Sequence, residues 1–501
     1  SSNKTIIIDP VPVRLWGTYY GGEKEEYTLS LEKDSSGNAY ICGTTSSINF
    51  IATSDAHQIT FGSSIYYNPY LYITDGFISK FDKNGARLWS TFYGGDLDDN
   101  IKDLAVSGNG TIGFCGNSWS NNNISTIGTF KDFKSGSYGE MFFGALNSSG
   151  VRLWASYFGD NTGRNFMNTI VFDSNNFLYI GGATSSKNYI ANIGSPPTTP
   201  YDFNGFISKF TINGQQIWGA YFGGEKEDFI EDLTIDSNNN IIAVGYTNST
   251  SGISTPNSFQ RNLNKNTLSS NLNYDGFITS FTNTGNLNWG TYFGGFEDDK
   301  ILRVKSFNNV LYVSGTSNSL DLATPNAFET ITQGSTSFIS KFNSQNQQKI
   351  WLSYSAPIIT DFDINQNEEI YLVGNSSYSA NIATPNAFNP NSNGFISYIR
   401  KINNNCQIIW GTYLGNSGFI NSPFIKCVTN DVFYVSGTCW STRNINHGLT
   451  TPNSFQEFSN GEHESYLNKF QECLSSTEIS SNSSVCIGNT LELKASGGTN
   501  Y

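Results

Sequence analysis

The sequence predicts an all-β protein, folded as a seven-bladed β-propeller with four antiparallel strands in each blade. The first observation is composition: 501 residues with Phe 37, Tyr 27, Trp 9 and Gly 49 but only 14% charged residues, which favours strands and turns over helices. The second is a tryptophan-centred segment that recurs seven times. The third is the order of the repeated parts, because one copy of that segment precedes every other strand.

The tryptophan segment is the clearest mark of the repeat. Its first copy reads Arg14-Leu15-Trp16-Gly17-Thr18-Tyr19, and the copies follow at intervals of about 60 to 70 residues, which is long for a propeller repeat. The seven tryptophans are Trp16, Trp89, Trp154, Trp218, Trp289, Trp351 and Trp410. Both faces of a blade are buried against the neighbouring blades, and successive side chains of a strand point to opposite faces. Large side chains are therefore needed on both faces to fill the space between blades. We therefore expect packing rather than a sugar-stacking platform.

Three further strands accompany each tryptophan segment. The fourth copy shows a hairpin of Leu233–Asp236 and Ile241–Gly245, joined by a turn of the Asn and Ser residues that hairpins prefer. A polar loop with a Thr-Pro-Asn motif follows at 255–259, 324–328, 384–388 and 451–455. The third strand reads Asp75-Gly76-Phe77-Ile78-Ser79-Lys80-Phe81, with equivalents at 204–210, 275–281, 336–342 and 393–400.

The position of the first tryptophan segment predicts how the ring closes. Residues 13–20 precede any hairpin, whereas the last third strand, around Tyr466–Phe470, has no tryptophan segment after it. We predict that residues 13–20 complete the last blade, so that the propeller spans residues 13–472 without an incomplete blade or open edge.

These motifs resemble the bacterial β-propeller repeat family known as SBBP. The shared pattern is a Tyr-aromatic-Gly-Gly turn with acidic residues, an apolar-Asp hairpin, a Thr-Pro-x-Ala-Phe loop and the Asp-Gly-Phe-Ile-Ser-Lys-Phe strand, in that order over residues 13–472. The resemblance implies the propeller fold but no particular activity, because one scaffold supports many functions.

Residues 473–501 differ from the repeats. This segment is serine-rich and then reads Ser484-Val485-Cys486-Ile487-Gly488-Asn489-Thr490-Leu491-Glu492-Leu493, which resembles the first strands of the Ig-like or PKD-like modules of Bacteroidota surface proteins. We predict a linker and the start of an Ig-like β-sandwich. About thirty residues are too few to close a sandwich, so we expect the natural protein to continue.

A propeller followed by an Ig-like module resembles cargo of the type IX secretion system. The resemblance implies a secreted, cell-surface binding or adhesion protein, associated with gliding motility, whose propeller is a non-catalytic interaction scaffold. Its partners would be the type IX translocon and shuttle components during export, and then a surface glycan or protein ligand. The alternatives are a structural spacer domain of a large surface protein and a polysaccharide-active enzyme.

Charge, hydropathy and cysteine spacing argue against a nucleic-acid-binding protein, a membrane protein and a zinc site. The formal net charge of -13 disfavours binding to nucleic acid, which requires clustered Lys and Arg. The sequence has no apolar run of eighteen residues, so we do not expect an integral membrane protein. The seven cysteines lack the spacing of a zinc site. We expect Cys42 and Cys115, at equivalent repeat positions, to be small packing residues.

The acidic turn after the tryptophan segment is the best candidate for chemistry. Loop carboxylates suit Ca²⁺, which takes about six to eight oxygen ligands, although each cluster belongs to a different blade. The alternative is that the carboxylates cap backbone amides of a tight turn. No other cofactor is expected. The metal candidates are Glu25, Glu26, Asp98, Asp99, Glu227, Asp228, Asp298 and Asp299.

No catalytic residue is predicted, and we expect a protein that is not an enzyme. His57, His447 and His463 are the only histidines, and no nucleophile elbow or metalloprotease motif accompanies them. We expect all three to be solvent-facing polar residues. The sequence leaves open the ligand, the disulfide pairing, the oligomeric state and any sorting domain after Tyr501.

Overall fold

The computed structural model describes residues 12–62, 73–136, 138–160, 163–194, 202–264, 273–331, 336–376, 381–385, 387–391, 396–416, 419–440 and 443–472. Over these residues the chain forms seven four-stranded antiparallel sheets arranged as the blades of a propeller. No helix in these ranges has the length and apolar character needed to cross a membrane. The predicted Ig-like start at 473–501 lies outside the described residues.

The strands follow the chain blade by blade, from the innermost strand to the outermost. Blade 7 is completed by β1 (Pro12–Tyr20). Blade 1 contains β2 (Glu26–Lys33), β3 (Ala39–Thr45), β4 (Asp75–Phe81) and β5 (Arg87–Tyr93); blade 2 contains β6 (Asp99–Val106), β7 (Ile112–Ser118), β8 (Glu140–Leu146) and β9 (Arg152–Phe158); blade 3 contains β10 (Asn165–Phe172), β11 (Leu178–Thr184), β12 (Asn204–Phe210) and β13 (Gln216–Phe222). Blade 4 contains β14 (Asp228–Ile235), β15 (Ile241–Thr247), β16 (Asp275–Phe281) and β17 (Leu287–Phe293); blade 5 contains β18 (Asp299–Phe307), β19 (Val310–Ser317), β20 (Thr336–Asn343) and β21 (Gln348–Ser355); blade 6 contains β22 (Ile358–Ile364), β23 (Ile370–Ser376), β24 (Ile396–Ile402) and β25 (Ile408–Leu414); blade 7 contains β26 (Phe419–Cys427), β27 (Val432–Trp440) and β28 (His463–Glu472).

The predicted closure of the ring is confirmed. Strand β1 pairs antiparallel with β28, from Pro12 opposite Glu472 to Tyr20 opposite Ser465, and Trp16 lies opposite Lys469. Blade 7 therefore combines the two ends of the repeat region, which leaves no blade with three strands.

The tryptophans pack between blades, as predicted. All seven lie on the outermost strands, and in five of them the indole N–H donates to a backbone carbonyl in the turn between the third and fourth strands of the next blade. The donor–acceptor distances are 3.0 Å for Trp16 to Lys83, 3.1 Å for Trp89 to Ser148, 2.8 Å for Trp154 to Ile212, 3.0 Å for Trp218 to Asn283 and 2.9 Å for Trp351 to Asn404. A buried indole needs such a partner, and here the partner links neighbouring blades.

The turn that meets the tryptophan requires glycine. Gly85 has φ +88°, and a Cβ at this position would lie 2.8 Å from the ring of Trp16. Both the left-handed backbone and the close approach therefore exclude a side chain. The same reason explains the glycines in the turns before the tryptophan segments of blades 1 to 4, which are Gly85, Gly150, Gly214 and Gly285.

The two ends of the propeller differ. At one end lie the short hairpin turns between the first and second and between the third and fourth strands. At the other end, which we call the long-loop face, lie the acidic Gly-Gly turns between blades and the long connections from the second to the third strand. Such loops on a rigid scaffold are where binding residues concentrate.

Candidate functional site

The acidic turns lie on the long-loop face, and in four of them the last carboxylate is buried. Each of these residues begins an innermost strand and accepts a hydrogen bond from the backbone N–H of the second glycine of the preceding Gly-Gly turn. The distances are 2.9 Å for Glu26, 2.7 Å for Asp99, 2.8 Å for Asp228 and 2.6 Å for Asp299. Side-chain hydroxyls add to this: Ser120 donates to Asp99 at 2.7 Å and Ser319 to Asp299 at 2.8 Å. These carboxylates therefore cap the turns.

The carboxylate before each buried one lies nearer the surface and has a different role. Asp98 accepts from the backbone N–H of Thr74 at 3.0 Å, and Asp298 from that of Tyr274 at 2.9 Å, so both tie a turn to the preceding blade. Glu227 accepts from the Tyr274 hydroxyl. Glu25 lies 3.6 Å from Nε2 of His463. The eight predicted carboxylates thus divide among four separate junctions between blades.

A second buried carboxylate, which the turn motif did not reveal, faces the first at three of the junctions. Asp75 begins the third strand of blade 1 and faces Asp99 across Gly94: a Cβ on Gly94 would lie 2.5 Å from Asp75 Oδ1 and 2.9 Å from Asp99 Oδ2. Burial raises the pKa of Asp75 to about 8 and that of Asp99 to about 6. The equivalent pairs are Asp275 with Asp299 and Glu464 with Glu26.

The pair at the junction of blades 7 and 1 is fully hydrogen-bonded. Glu464 accepts from the backbone N–H groups of Asn460 and Gly461 at 2.6 and 2.7 Å and from Gln456 at 3.2 Å. Glu26 Oε2 and Glu464 Oε2 face each other across Gly21, where a Cβ would lie 2.2 and 2.1 Å from them. Burial, together with mutual repulsion in the case of Glu464, raises the pKa of both carboxyls above their usual range.

This pair is expected to make the closing junction less stable as pH rises. Above pH of about 4.5 the unfolded chain ionises both glutamates, whereas the folded chain keeps a proton on the pair until its raised pKa is passed. The contribution of this pair to the free energy of unfolding is therefore fully present in acid. It falls between about pH 5 and 9, by about 1.4 kcal/mol for each unit by which folding raises a pKa. Thermal unfolding of Glu464→Gln across this range should show a weaker loss than the wild type.

The matched control for that measurement is Glu462→Gln, which changes an exposed glutamate two residues away. It should reproduce the wild-type pH dependence. An identical pH dependence in the wild type and in Glu464→Gln would contradict the shared proton.

A second candidate site is the central channel, which the innermost strands line. Each of these strands carries a bulge near its middle. After the bulge, blades 2, 4 and 6 place an aspartate that accepts the backbone N–H of the next blade. The distances are 3.0 Å from Ile170 to Asp103, 2.9 Å from Val304 to Asp232 and 3.0 Å from Ile425 to Asp361. Blades 1 and 3 provide donors instead: Ser30 at 2.8 Å to Asp103 and Thr169 at 3.2 Å to Asp232.

Because the ring has seven blades, donor and acceptor blades cannot alternate all the way around it, and two neighbouring blades must be of the same kind. At the junction of blades 7 and 1 neither innermost strand has the aspartate, and Lys426 forms a 2.8 Å ion pair with Glu32 there instead. Burial would raise the pKa of Glu32, but the charge and hydrogen bond of Lys426, together with the backbone N–H of Lys33 and the charge of Lys305, lower it overall. The closing junction therefore has its own polar contact in the channel.

The channel opens on the long-loop face as a cavity of about 250 Å³. Its charged lining residues are Lys102, Glu231 and Arg303, and Tyr27 and Trp440 lie at its edge. Trp440 is 47% exposed. Burial raises the pKa of Glu231, although Arg303 and Lys102 oppose the shift. The mouth thus combines aromatic rings with charges of both signs.

A row of aromatic rings extends across blades 3 and 4 on the same face. Phe166, Phe203, Phe229, Tyr246 and Tyr274 follow one another with ring centroids 4.8 to 5.4 Å apart. Phe166 is 42% exposed. The ammonium of Lys300, from blade 5, lies 4.2 Å above the Tyr246 ring. We call these five rings the aromatic row; they were not identified from the sequence.

The histidines and cysteines of the described residues lie apart from one another in the fold and have packing contacts. Cys42 and Cys115 are buried and unpaired thiols, as their packing role requires. The expectation for His447 is wrong, since it is only 7% exposed, because the loop that carries it folds back over the ring-closing strand and its N–H donates to the Tyr19 hydroxyl at 3.2 Å. In the described part of the chain, no three His, Cys, Asp or Glu side chains cluster as a metal site.

The fold and the channel define the class of this protein: a closed seven-bladed β-propeller with a polar channel and a loop-rich face. No family model matches the sequence, and no curated protein does either, so the SBBP resemblance stays a prediction. Among solved structures, the chain is similar to the Neurospora crassa Pan2 WD40 domain, with 10% identity, TM-score 0.47 and coverage of 93% of this chain and 97% of that one.

Two bacterial proteins of unknown function are also similar to it. One is from Dyadobacter fermentans, with 10% identity and TM-score 0.41, covering 93% of this chain and 100% of that one. The other is from Bacteroides caccae, with 9% identity and TM-score 0.34, covering 67% of this chain and 89% of that one.

Proposed function

We propose that this chain is the ligand-binding propeller of a secreted, cell-surface adhesion protein, which binds a surface glycan on its long-loop face without catalysing a reaction. Export by the type IX secretion system and an association with gliding motility form part of the proposal, and the sequence resemblance supports them. The exposed aromatic rings of the long-loop face, at the channel mouth and in the aromatic row, are the observation that carries the binding function.

The arrangement of these rings suits a sugar better than an extended apolar partner. Phe166 and Trp440 each expose nearly half of their surface on the long-loop face. Sugar rings stack on aromatic faces, and neighbouring polar groups orient their hydroxyls. Lys102, Glu231 and Arg303 at the mouth offer donors and acceptors of both signs. A partly exposed aromatic anchor with polar neighbours is also the usual composition of a binding hot spot.

The other two functions have weaker support. A polysaccharide-active enzyme needs two accessible carboxyls about 5 to 9 Å apart, whereas the channel aspartates Asp103, Asp232 and Asp361 already accept hydrogen bonds from neighbouring backbone. A structural spacer has no need of half-exposed aromatic residues on its long-loop face, since exposed apolar surface promotes unwanted association.

A glycan array tests the proposal. The wild-type chain should bind a defined set of surface polysaccharides, and Trp440→Ala and Phe166→Ala should each weaken that binding by about tenfold or more, as loss of a stacking anchor does. The binding constants of the best ligand, measured by titration calorimetry, give the size of the effect.

The matched control is Leu153→Ala, which removes an apolar side chain of similar exposure from the outermost strand of blade 2. It should leave glycan binding unchanged. Hydrolysis of any arrayed polysaccharide would favour the enzyme, and no binding at all would favour the spacer.

A further inference from the structure

The carboxylate pairs at two junctions between blades contain oxygens with no partner. Oδ2 of Asp75 accepts from the Gly62 N–H at 2.7 Å and Oδ2 of Asp275 from the Asn264 N–H at 2.9 Å. Oδ1 of each is buried and, in the part of the chain that the structure describes, has no hydrogen-bond partner. Both residues are fully buried. A buried polar atom without a partner is costly and calls for an explanation.

The unpartnered oxygens point to the opposing carboxylate. A Cβ on Gly94 would lie 2.5 Å from Asp75 Oδ1 and 2.9 Å from Asp99 Oδ2, and at Gly294 the corresponding distances to Asp275 Oδ1 and Asp299 Oδ2 are 2.7 and 2.9 Å. Each junction therefore holds two facing carboxylates from neighbouring blades. The two sites have the same geometry although they lie three blades apart.

The junction of blades 2 and 3 shows what such a site accommodates. The third strand of blade 2 begins with Glu140, as that of blade 1 begins with Asp75. The first strand of blade 3 begins with Asn165 where blade 2 has Asp99, so only one of the two facing positions holds a carboxylate. Lys131 is buried there, pairs with Glu140 and donates to the Gly159 carbonyl at 2.6 Å. One carboxylate is thus balanced by one ammonium.

Lys131 occupies the position that a glutamine has at the two-carboxylate junctions. Its backbone N–H donates to the Ser156 hydroxyl at 2.8 Å, as that of Gln58 donates to Thr91 at 2.9 Å and that of Gln260 to Thr291 at 2.8 Å. Where the second carboxylate is present, the chain therefore supplies no ammonium at this position.

We propose that the pairs Asp75–Asp99 and Asp275–Asp299 each bind one divalent cation, of the calcium and magnesium class, which joins blade 1 to blade 2 and blade 4 to blade 5. Two carboxylates balance a double positive charge, and carboxylate oxygens are the ligands that these hard cations prefer. The cation would satisfy Asp75 Oδ1 and Asp275 Oδ1, and water would complete its coordination.

Among the described residues, this arrangement is found at no other junction. At the junction of blades 3 and 4, Asn204 begins the third strand in place of an acidic residue, and both oxygens of Asp228 accept hydrogen bonds, from Thr247, Gly224 and Ser249. Glu26 and Glu464 also have partners on both oxygens. Two cations per chain are therefore expected, and not one for each acidic turn.

Metal binding to the full chain tests the proposal. After removal of metals with a chelator, equilibrium dialysis against CaCl₂ or MgCl₂ should give two bound ions per chain, one in Asp75→Asn and none in Asp75→Asn/Asp275→Asn. Saturating metal should raise Tm by about 3 °C or more in the wild type and leave that of the double variant unchanged. The exposed neighbour Asp98→Asn is the matched control and should keep both ions.

A second test introduces a lysine at one of the two proposed sites, and its result does not rely on a variant that is less stable. Gln58→Lys places an ammonium where Lys131 has one, so this variant should bind one ion instead of two and should be at least as stable as the wild type in chelator. If instead the facing carboxylates share a proton, the wild type binds no metal and Asp75→Asn, which imitates the protonated acid, leaves Tm unchanged or raises it. Either that result or metal binding that persists in the double variant overturns the proposal.

Discussion

Deletion of residues 1–20 is expected to abolish the cooperative folding of this protein. The deletion removes β1 and with it the completely buried Tyr19 and Tyr20. It also exposes the whole length of β28 as an unpaired edge, which promotes aggregation. Loss of one large buried side chain costs about 3 to 5 kcal/mol, so two such losses approach the total stability of a typical domain. Thermal unfolding followed by circular dichroism should show a broad, early transition or insoluble protein.

A circular permutant tests whether the deletion acts by leaving blade 7 without its fourth strand, because it restores that strand at the other end of the chain. Glu472 lies opposite Pro12 in the sheet, so a short turn can join them. We expect a chain in which residues 12–20 follow Glu472 through a copy of the five-residue turn Thr282–Asn286 to unfold at the wild-type temperature, because blade 7 then has the connectivity of every other blade. Cooperative, wild-type unfolding of the deletion variant itself would show that closure by β1 is dispensable.

Glu472→Ala is expected to destabilise the closing blade by about 3 kcal/mol, since it leaves the buried Trp410 indole without an acceptor and removes one of the two carboxylates that pair with the buried Lys401. Five other indoles donate to the carbonyl of a turn between the third and fourth strands, but in blade 7 the fourth strand is β1, so no such turn connects it to β28. The Glu472 carboxylate takes that place: it accepts from Trp410 at 3.1 Å, from Tyr371 at 2.8 Å and from Lys401 at 2.7 Å. Lys401 keeps a second partner in Glu369, so its charge is not left isolated.

Double-mutant cycles measure this contact. Denaturant unfolding of Glu472→Ala, Trp410→Phe and the double variant should give a coupling of about 1 kcal/mol or more. Trp351→Phe is the matched control, because its indole donates to the Asn404 carbonyl instead, and its effect should add to that of Glu472→Ala within about 0.5 kcal/mol. Glu472→Gln, which keeps an acceptor oxygen, should recover part of the loss. Additive effects for Glu472 and Trp410 would refute the assigned role.

The repeat made most of the fold predictable from the sequence. Each of the seven copies carries the same apolar alternation, so a strand that is ambiguous in one copy is clear in another. The count of tryptophan segments against third strands, with Trp16 first and Phe470 last, was enough to place the closing strand. Strand bounds followed within a few residues.

The site was less predictable, because its residues come from different copies. The acidic turn drew attention to Asp99 and Asp299, yet their facing partners Asp75 and Asp275 lie in a strand motif that reads as packing. Alignment of the copies would show Lys131 at the position of Gln58 and Gln260. The role of that lysine becomes clear only from the structure, in which its ammonium pairs with Glu140. The aromatic row has no sequence signal either, since Phe166 and Tyr246 are ordinary strand residues.

The number of blades, the strand order and the way the ring closes can be predicted from local patterns repeated along the chain. Which carboxylates face each other, which acceptor an indole N–H reaches and how Glu472 replaces a missing turn are visible only in the folded protein. These contacts join neighbouring blades, so the residues that make them meet only once the ring has formed.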